Sequence, residues 1–203
     1  MRIRALAGVV AVVAVLTSCG QEVPSASNAF PPREAPSSAP PVPRPSADTS
    51  VGLDSSPTIE EIKQHRQFHV GVRNDAPAFA ARVGPGEYAG FDVEIAGLLA
   101  TRLGLDPDTE VTYRMLPPSL LYDALASGSV DAVIGWQAGG RADLADVGPY
   151  AVTDEPRFVV VRGGDDAMVE EFEGILDAAV ADGSWQRAYD ATLGREGIPA
   201  RPR

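Results

Sequence analysis

QFHVGVR, residues 67–73, and EVTYRML, residues 110–116, are two strand-like runs that enclose a helix-like segment. Both runs are rich in β-branched and aromatic side chains, which favour extended backbone. Between them, apolar side chains recur with helical spacing at Ile95, Leu98, Leu99 and Leu103. Gly104 then supplies a helix stop. A strand, a helix and a second strand in this order predict a right-handed crossover between parallel strands.

The same alternation continues through the rest of the chain. VDAVIG, residues 130–135, is a short apolar run typical of a buried parallel strand. A further strand is predicted at 157–162, and further helices at 58–66, 119–127, 166–181 and 184–193. Thr58 and Glu61 form a capping box at the start of the first helix. The sequence therefore predicts an α/β fold, with a mainly parallel sheet and helices on both faces.

The predicted folded part spans residues 58–197 and is long enough for one hydrophobic core. It leaves little room for a second core, so we expect one lobe. Residues 198–203 are expected to form a disordered tail.

The N-terminus has the pattern of a secretion signal. Arg2 and Arg4 precede an apolar run that ends at Leu16, too short to span a bilayer of about 30 Å. The following Thr17-Ser18-Cys19 resembles a lipobox, which predicts a lipoprotein signal peptide at 1–18 and acylation of Cys19, with palmitate as one of the chains. We expect a lipid-anchored protein on the extracytoplasmic face of the cell membrane. An ordinary secretion signal with a free cysteine is the alternative.

Residues 19–57 link this signal to the predicted lobe. They are rich in Pro, Ser and Ala and cannot bury enough apolar surface to offset the entropy of ordering. The stretch is predicted to be a disordered tether from the membrane, although PPVP at residues 40–43 also fits a proline-rich ligand. Cys19 is the only cysteine, so the chain has no internal disulfide.

Charge and motif content narrow the function classes. The formal net charge of −11 argues against nucleic acid as a partner. The two histidines, His65 and His69, lie outside any metal-ligand or catalytic motif. The sequence contains no phosphate-binding loop and no nucleophile elbow. We therefore predict no enzyme activity, no metal and no cofactor.

Five segments together resemble a known family. They are VGVRNDAPAF (70–79), EYAGFDVEIAGLLATRLGL (87–105), LASGSVDAVIG (125–135), GPYAVT (148–153) and DGSWQRAYDATLG (182–194). They are similar, in order, to the extracellular solute-binding proteins, family 3, and most similar to the glutamate- and glutamine-binding branch. The resemblance implies a periplasmic-binding-protein-like fold and the binding of a polar amino acid for an ABC permease.

The resemblance also implies two lobes, of which this chain has one. In the family the chain crosses to the second lobe soon after a segment like GPYAVT and returns just before the terminal helices. Here only Asp154, Glu155 and Pro156 separate that segment from RFVVVR at 157–162. We expect most of the second lobe to be missing, so that a second copy or another chain would have to complete the cleft.

The resemblance assigns five candidate ligand-binding residues. Asp75 and Phe79 follow the first strand, and Arg141 aligns with the arginine that holds the α-carboxylate of the ligand. Trp136 is expected to form a wall of the pocket, and Gln137 is a polar contact where relatives have threonine hydroxyls. With only one lobe, we expect weak binding.

Each candidate has a structural alternative. Asp75 can cap a turn, Phe79 can belong to the core, Trp136 can cover the sheet, and Arg141 can pair with a nearby aspartate. Asp92 is expected to cap a helix rather than bind ligand. Two functions therefore remain open: an amino-acid-binding component related to ABC transporters, and a cell-surface interaction or scaffold lipoprotein that binds no small ligand.

Overall fold

The computed structural model describes residues 55–203. The predicted signal peptide, Cys19 and nearly all of the predicted tether lie outside the described residues. Within residues 55–203, no helix has the length and apolar character needed to cross a membrane.

The described residues alternate between strands and helices along most of their length. The strands are β1 (Phe68–Arg73), β2 (Ala81–Gly84), β3 (Glu87–Ala89), β4 (Val111–Leu116), β5 (Ala132–Trp136), β6 (Leu144–Val152) and β7 (Pro156–Arg162). The helices are α1 (Pro57–His65), α2 (Phe91–Arg102), α3 (Pro118–Ala126), α4 (Asp166–Ala181), α5 (Ser184–Ala191) and α6 (Leu193–Glu196).

One five-stranded sheet, with the order β4-β1-β5-β7-β6, organises the lobe. Its β4, β1 and β5 are parallel, whereas β7 is antiparallel to both β5 and β6. The crossovers from β1 to β4 and from β4 to β5 run in opposite directions across the sheet, so α2 and α3 cover opposite faces. The predicted α/β lobe with helices on both faces is confirmed.

Two apolar clusters fill the two faces of the sheet. The larger one joins β1, α2, α4 and α5, and within it Phe68 meets Phe172 edge to face at 6.1 Å between ring centroids. The smaller cluster places Leu121 and Leu125 of α3 against Val133 and Val160. Because both faces are covered, the polar chemistry of the lobe is displaced to the ends of the strands.

The β6–β7 hairpin occupies the position at which the resemblance places the crossing to a second lobe. Strand β6 ends at Val152 and β7 starts at Pro156. The Thr153 amide donates a hydrogen bond of 3.1 Å to the carbonyl of Glu155, which closes the turn. The chain therefore passes directly from one strand of the sheet into the next.

The first helix begins earlier than the sequence predicts. The cap is Ser56 rather than Thr58, because Pro57 is suited to the first helical position and the Ser56 hydroxyl accepts a 3.0 Å hydrogen bond from the Ile59 amide. The same hydroxyl donates to Asp165 at 2.8 Å, which links the start of α1 to the start of α4.

Residues 198–203 pack against the lobe, which differs from the expected disordered tail. Arg201 and Val152 exchange two backbone hydrogen bonds of 2.8 and 3.1 Å. Arg203 pairs with Glu173 and, at 2.7 Å, with Asp177. The end of β6 is at the edge of the sheet and has unpaired backbone groups, which the last residues of the chain satisfy.

Candidate functional site

The candidate site lies at the carboxyl ends of the parallel strands β1 and β5. These strands are neighbours in register, with Val72 opposite Ile134. The loops that follow them therefore start at the same edge of the sheet. Strand β7 runs the other way and begins at this edge, where Phe158 pairs with Trp136. Open α/β sheets bind ligands at this kind of edge.

The loop after β1 presents Asp75 beside Arg73. Nε and Nη2 of Arg73 donate to the two carboxylate oxygens of Asp75 at 2.8 and 2.9 Å, a fork of two charge-assisted bonds. The hydrogen bond from Arg73 lowers the pKa of Asp75, so its carboxylate stays ionised at neutral pH. The Asp75 side chain is 44% exposed, which leaves its remaining lone pairs open to solvent.

A buried ion pair lies next to this loop. Asp92 is completely buried and accepts a 2.8 Å hydrogen bond from Nη2 of Arg157. The hydroxyl of Tyr150 donates to Asp92 and accepts from Nε of Arg157 at 3.1 Å. Burial and the Asp92 carboxylate raise the pKa of Tyr150, so the phenol remains neutral.

Asp92 does not cap α2, contrary to the sequence-based expectation. The N-cap of α2 is Gly90, which makes no side-chain capping bond. The Asp92 side chain turns instead toward Arg157, because a buried carboxylate needs a cation or several hydrogen-bond donors.

Gly135 makes room for this ion pair at the end of β5. Its φ of +81° is in the left-handed region. A Cβ at position 135 would lie 2.3 Å from Nη2 of Arg157 and 2.3 Å from Oδ2 of Asp92. The absence of a side chain therefore lets the guanidinium cross the end of the strand.

Phe79 packs against the guanidinium of Arg157. The ring is half-buried, and the Cζ atom of Arg157 lies 3.6 Å from its centroid. This distance is well within the range of a cation–π contact. Phe79 also anchors its loop through its carbonyl, which accepts a 2.8 Å hydrogen bond from the Asp92 amide.

Arg141 has partners of its own. Its guanidinium stacks on Tyr122 of α3 at 3.6 Å, and its Nε donates to Asp143 at 3.3 Å. The Tyr122 hydroxyl donates to the same carboxylate at 2.7 Å. Within residues 55–203, no hydrogen bond or ion pair joins Arg141 to the loop of Asp75 and Phe79.

The other two candidates follow β5. Trp136 is half-buried and packs against the smaller apolar cluster. This position agrees with its structural alternative, a side chain that covers the sheet. Gln137 is exposed. The next amide, that of Ala138, donates to Asp146 at 2.7 Å and fixes the start of the loop that leads to Arg141.

The structure thus brings Asp75 and Phe79 together with Arg73 and Arg157, two arginines that sequence reasoning did not select. Asp92, near the start of an apolar helix, indicates that a cationic partner is needed, because a buried carboxylate requires one. Nothing in the sequence indicates which of the 16 arginines that partner is.

No group of three His, Cys, Asp or Glu side chains within residues 55–203 is placed to hold a metal ion. His69 lies 3.5 Å from Asp131, and the Asp131 carboxylate accepts a 2.9 Å bond from the His69 amide. Asp131 therefore satisfies a backbone donor at this point of the sheet.

Comparison with known proteins gives one family and several structures of the same fold. The model of the bacterial extracellular solute-binding proteins, family 3, matches residues 68–195. The glutamate/glutamine/aspartate/asparagine-binding protein BztA of Rhodobacter capsulatus is 34% identical over 139 residues, which is 66% of this chain and 38% of that protein. The chain therefore spans about two fifths of the length of this curated relative.

Three solved structures illustrate the shared fold. A variant of domain 1 from TmArgBP, in its arginine-bound form, is 22% identical with a TM-score of 0.52, over 61% of this chain and 98% of that chain. A solute receptor for L-cysteine from Neisseria gonorrhoeae is 17% identical with a TM-score of 0.60, over 68% and 94%. AncCDT-1, an ancestral amino-acid-binding protein and precursor of cyclohexadienyl dehydratase, is 16% identical with a TM-score of 0.58, over 68% and 99%.

Proposed function

The chain belongs to the bacterial extracellular solute-binding proteins, family 3, and we propose that its lobe binds a polar amino acid of the glutamate or glutamine type. One observation carries the proposal: Asp75 and Phe79 converge with Arg73 and Arg157 at the carboxyl edge of the sheet. A carboxylate and guanidinium groups are the natural partners of the ammonium and carboxylate groups of an amino acid.

Two similar proteins support an amino-acid ligand. BztA is described as binding glutamate, glutamine, aspartate and asparagine. The solved domain 1 from TmArgBP is described as arginine-bound, so in that protein a first domain holds an amino acid. This supports the proposal that the single lobe of this chain can hold an amino acid.

The affinity of the lone lobe is expected to be low. A ligand held on one face remains half solvated, so each charged contact contributes only about 1 kcal/mol. In a two-lobed protein the lobes close over the ligand and exclude water from both of its faces. A single lobe cannot do this. We expect a dissociation constant in the millimolar range or weaker, about −4 kcal/mol.

The proposed place of action is the extracytoplasmic face of the cell membrane. The lipobox-like Leu16 to Cys19 supports a lipid anchor, and residues 19–57 would act as the tether. In this position the lobe would serve as a binding component related to ABC importers, with a permease or a second chain as its partner. The family is described as solute-binding, and we assign no enzymatic role.

A scaffold function without a small ligand is the second candidate, and one observation favours it. Each arginine at this edge already has a carboxylate partner within the chain: Arg73 with Asp75, Arg157 with Asp92, and Arg141 with Asp143. The edge is thus electrostatically satisfied with no ligand bound.

Titration of the full chain with amino acids separates the two functions. Thermal unfolding and NMR should show stabilisation and saturable shifts with L-glutamate and L-glutamine at millimolar concentrations, whereas sodium chloride of equal ionic strength should have no such effect. Asp75→Asn should weaken this binding, and Asp108→Asn, an exposed carboxylate on another loop, should not. A lack of response to any amino acid at tens of millimolar would favour the scaffold. Micromolar binding that appears only where the protein dimerises would show that a second copy completes the cleft.

A further inference from the structure

We infer that Arg157 anchors the carboxylate of the ligand and that its position on Phe79 makes the site reject cationic amino acids. The inference rests on the proposed amino-acid binding and specifies how the same site would recognise its ligand. The resemblance to the family assigns the carboxylate to Arg141 instead, so the two assignments make different predictions.

The side chain of Arg157 is held rigidly. Its guanidinium is held by Asp92 at 2.8 Å, by the Tyr150 hydroxyl at 3.1 Å and by the ring of Phe79 at 3.6 Å. Its side chain is only 11% exposed. A cation fixed in this way loses little conformational entropy when it binds a ligand, so more of each new contact appears as affinity.

The Arg157 guanidinium keeps a donor for a ligand. Nε and Nη2 of Arg157 have partners, but Nη1 donates no hydrogen bond to any residue of the described range. Within that range every buried side-chain nitrogen or oxygen has a partner. Nη1 is therefore reached by solvent, and it can donate to an incoming acceptor.

The Arg157 guanidinium lies beside the loop after β1. The Cζ atom of Arg157 lies 3.6 Å from the ring centroid of Phe79, which belongs to the same loop as Asp75. An amino acid lying here would meet a carboxylate for its ammonium group and guanidinium donors for its carboxylate. The ammonium and carboxylate groups of the ligand would then each face a group of opposite charge.

Arg141 is less suited to this task. Its guanidinium rests on Tyr122 and bonds Asp143, whose carboxylate also accepts from the Tyr122 hydroxyl. Its side chain is 47% exposed, so a contact made there is screened by water.

The cation on Phe79 also determines selectivity. A cationic ligand side chain would be attracted to an aromatic face, but one face of Phe79 is already covered by the guanidinium of Arg157. A second cation at this position would be repelled by the first. Neutral and acidic side chains meet no such repulsion, which favours glutamate and glutamine over arginine and lysine.

The test is a neutral replacement of the whole ion pair, Arg157→Gln with Asp92→Asn, in the full chain. Both residues are changed because removal of the cation alone would leave the Asp92 carboxylate buried and unpaired. In the unmodified chain, NMR titration should show L-glutamate binding about tenfold more tightly than L-arginine. In the variant, affinity for L-glutamate should fall about tenfold, while affinity for L-arginine should rise.

Matched measurements keep the outcomes distinct. The variant Arg66→Gln with Glu110→Gln removes another forked ion pair, at the amino ends of the strands, and should leave both affinities unchanged. If the Arg157 and Asp92 variant does not fold, L-glutamate should still shift the Nε–H resonance of Arg157 in the unmodified chain.

Three results would overturn the inference. One is an equal loss of both affinities in the Arg157 and Asp92 variant. Another is a loss of L-glutamate binding in Arg141→Gln while the Arg157 and Asp92 variant still binds L-glutamate. The third is saturable L-glutamate binding with no shift of the Arg157 resonance. If the unmodified chain binds no amino acid, the proposed function itself fails, and this inference fails with it.

Discussion

Arg157 can reach its partners only because position 135 carries no side chain. A Cβ there would overlap both Nη2 of Arg157 and Oδ2 of Asp92, each at 2.3 Å. The overlap cannot be relieved cheaply, since Asp92 is completely buried and Arg157 also bonds the Tyr150 hydroxyl. A single backbone position thus controls both the ion pair and the cation that lies on Phe79.

The first prediction concerns Gly135→Ala, with Gly139→Ala as its matched control. Both glycines have positive φ, +81° and +67°, but a Cβ at 139 would have nothing within 4 Å. The control should therefore report only the backbone cost, about 1–2 kcal/mol. Gly135→Ala adds the overlap with the ion pair and should cost about 3 kcal/mol or more in the free energy of unfolding. If urea unfolding shows that both variants lose the same free energy of unfolding, the ion pair can move away from the added Cβ at little cost.

At the scale of elements, α1 is joined to α4 by one carboxylate. Asp165 accepts from the Ser56 hydroxyl at 2.8 Å and from the Met168 amide at 3.1 Å, so it caps α4 and holds the start of α1. Burial alone would raise the pKa of Asp165, but hydrogen bonds from Thr58 and Ser56 outweigh burial and lower it. The ionised form therefore stabilises the folded state.

The second prediction is the pH dependence of this contact. Because the pKa of Asp165 is lower in the folded state than its ordinary value of about 3.9, its stabilisation is complete above that value and is lost as the pH falls through the folded-state pKa. Asp165→Asn should cost about 1 kcal/mol at pH 7, since Asn still caps a helix, and should flatten the fall in stability below about pH 4. The adjacent Asp166→Asn is the control. If urea unfolding shows the same acid limb in both variants, Asp165 does not contribute as described.

The helices and parallel strands follow from the sequence because their apolar residues recur with clear periodicity. Strand β6 cannot be predicted in this way, because Gly148 and Pro149 interrupt the alternation of its apolar residues. The strand depends on pairing with β7. The β2–β3 hairpin falls in a segment whose Pro and Gly content predicts only a loop. Local patterns therefore predict elements that carry their own apolar face, and miss those that exist through a partner.

The candidate site shows the same limit at the scale of the whole molecule. Asp75 and Phe79 can be selected from the sequence because they lie within one contiguous segment that resembles the family. Arg157 cannot be selected in this way, because its carboxylate partner, Asp92, lies 65 residues earlier and because the contact also requires Gly135. Such a contact depends on the order of strands in the sheet, which composition and spacing do not encode.

The last prediction concerns the attachment of the whole molecule to the membrane. Within residues 55–203, the exposed large apolar side chains are Val83, Leu120 and Val180, which lie on three different elements. The chain is also strongly acidic, with a formal net charge of −11, so an anionic membrane surface would not attract it.

If the lipobox-like segment acts as proposed, the lipid on Cys19 is the source of membrane association. The expressed wild-type protein should then partition into detergent, and Cys19→Ala should remain unprocessed or appear in the aqueous phase. Ser37→Ala, a change within the proposed tether, should partition like the wild type. Identical partitioning of the wild type and Cys19→Ala, with the same mass for both mature proteins apart from the substitution, would exclude a lipid anchor at Cys19.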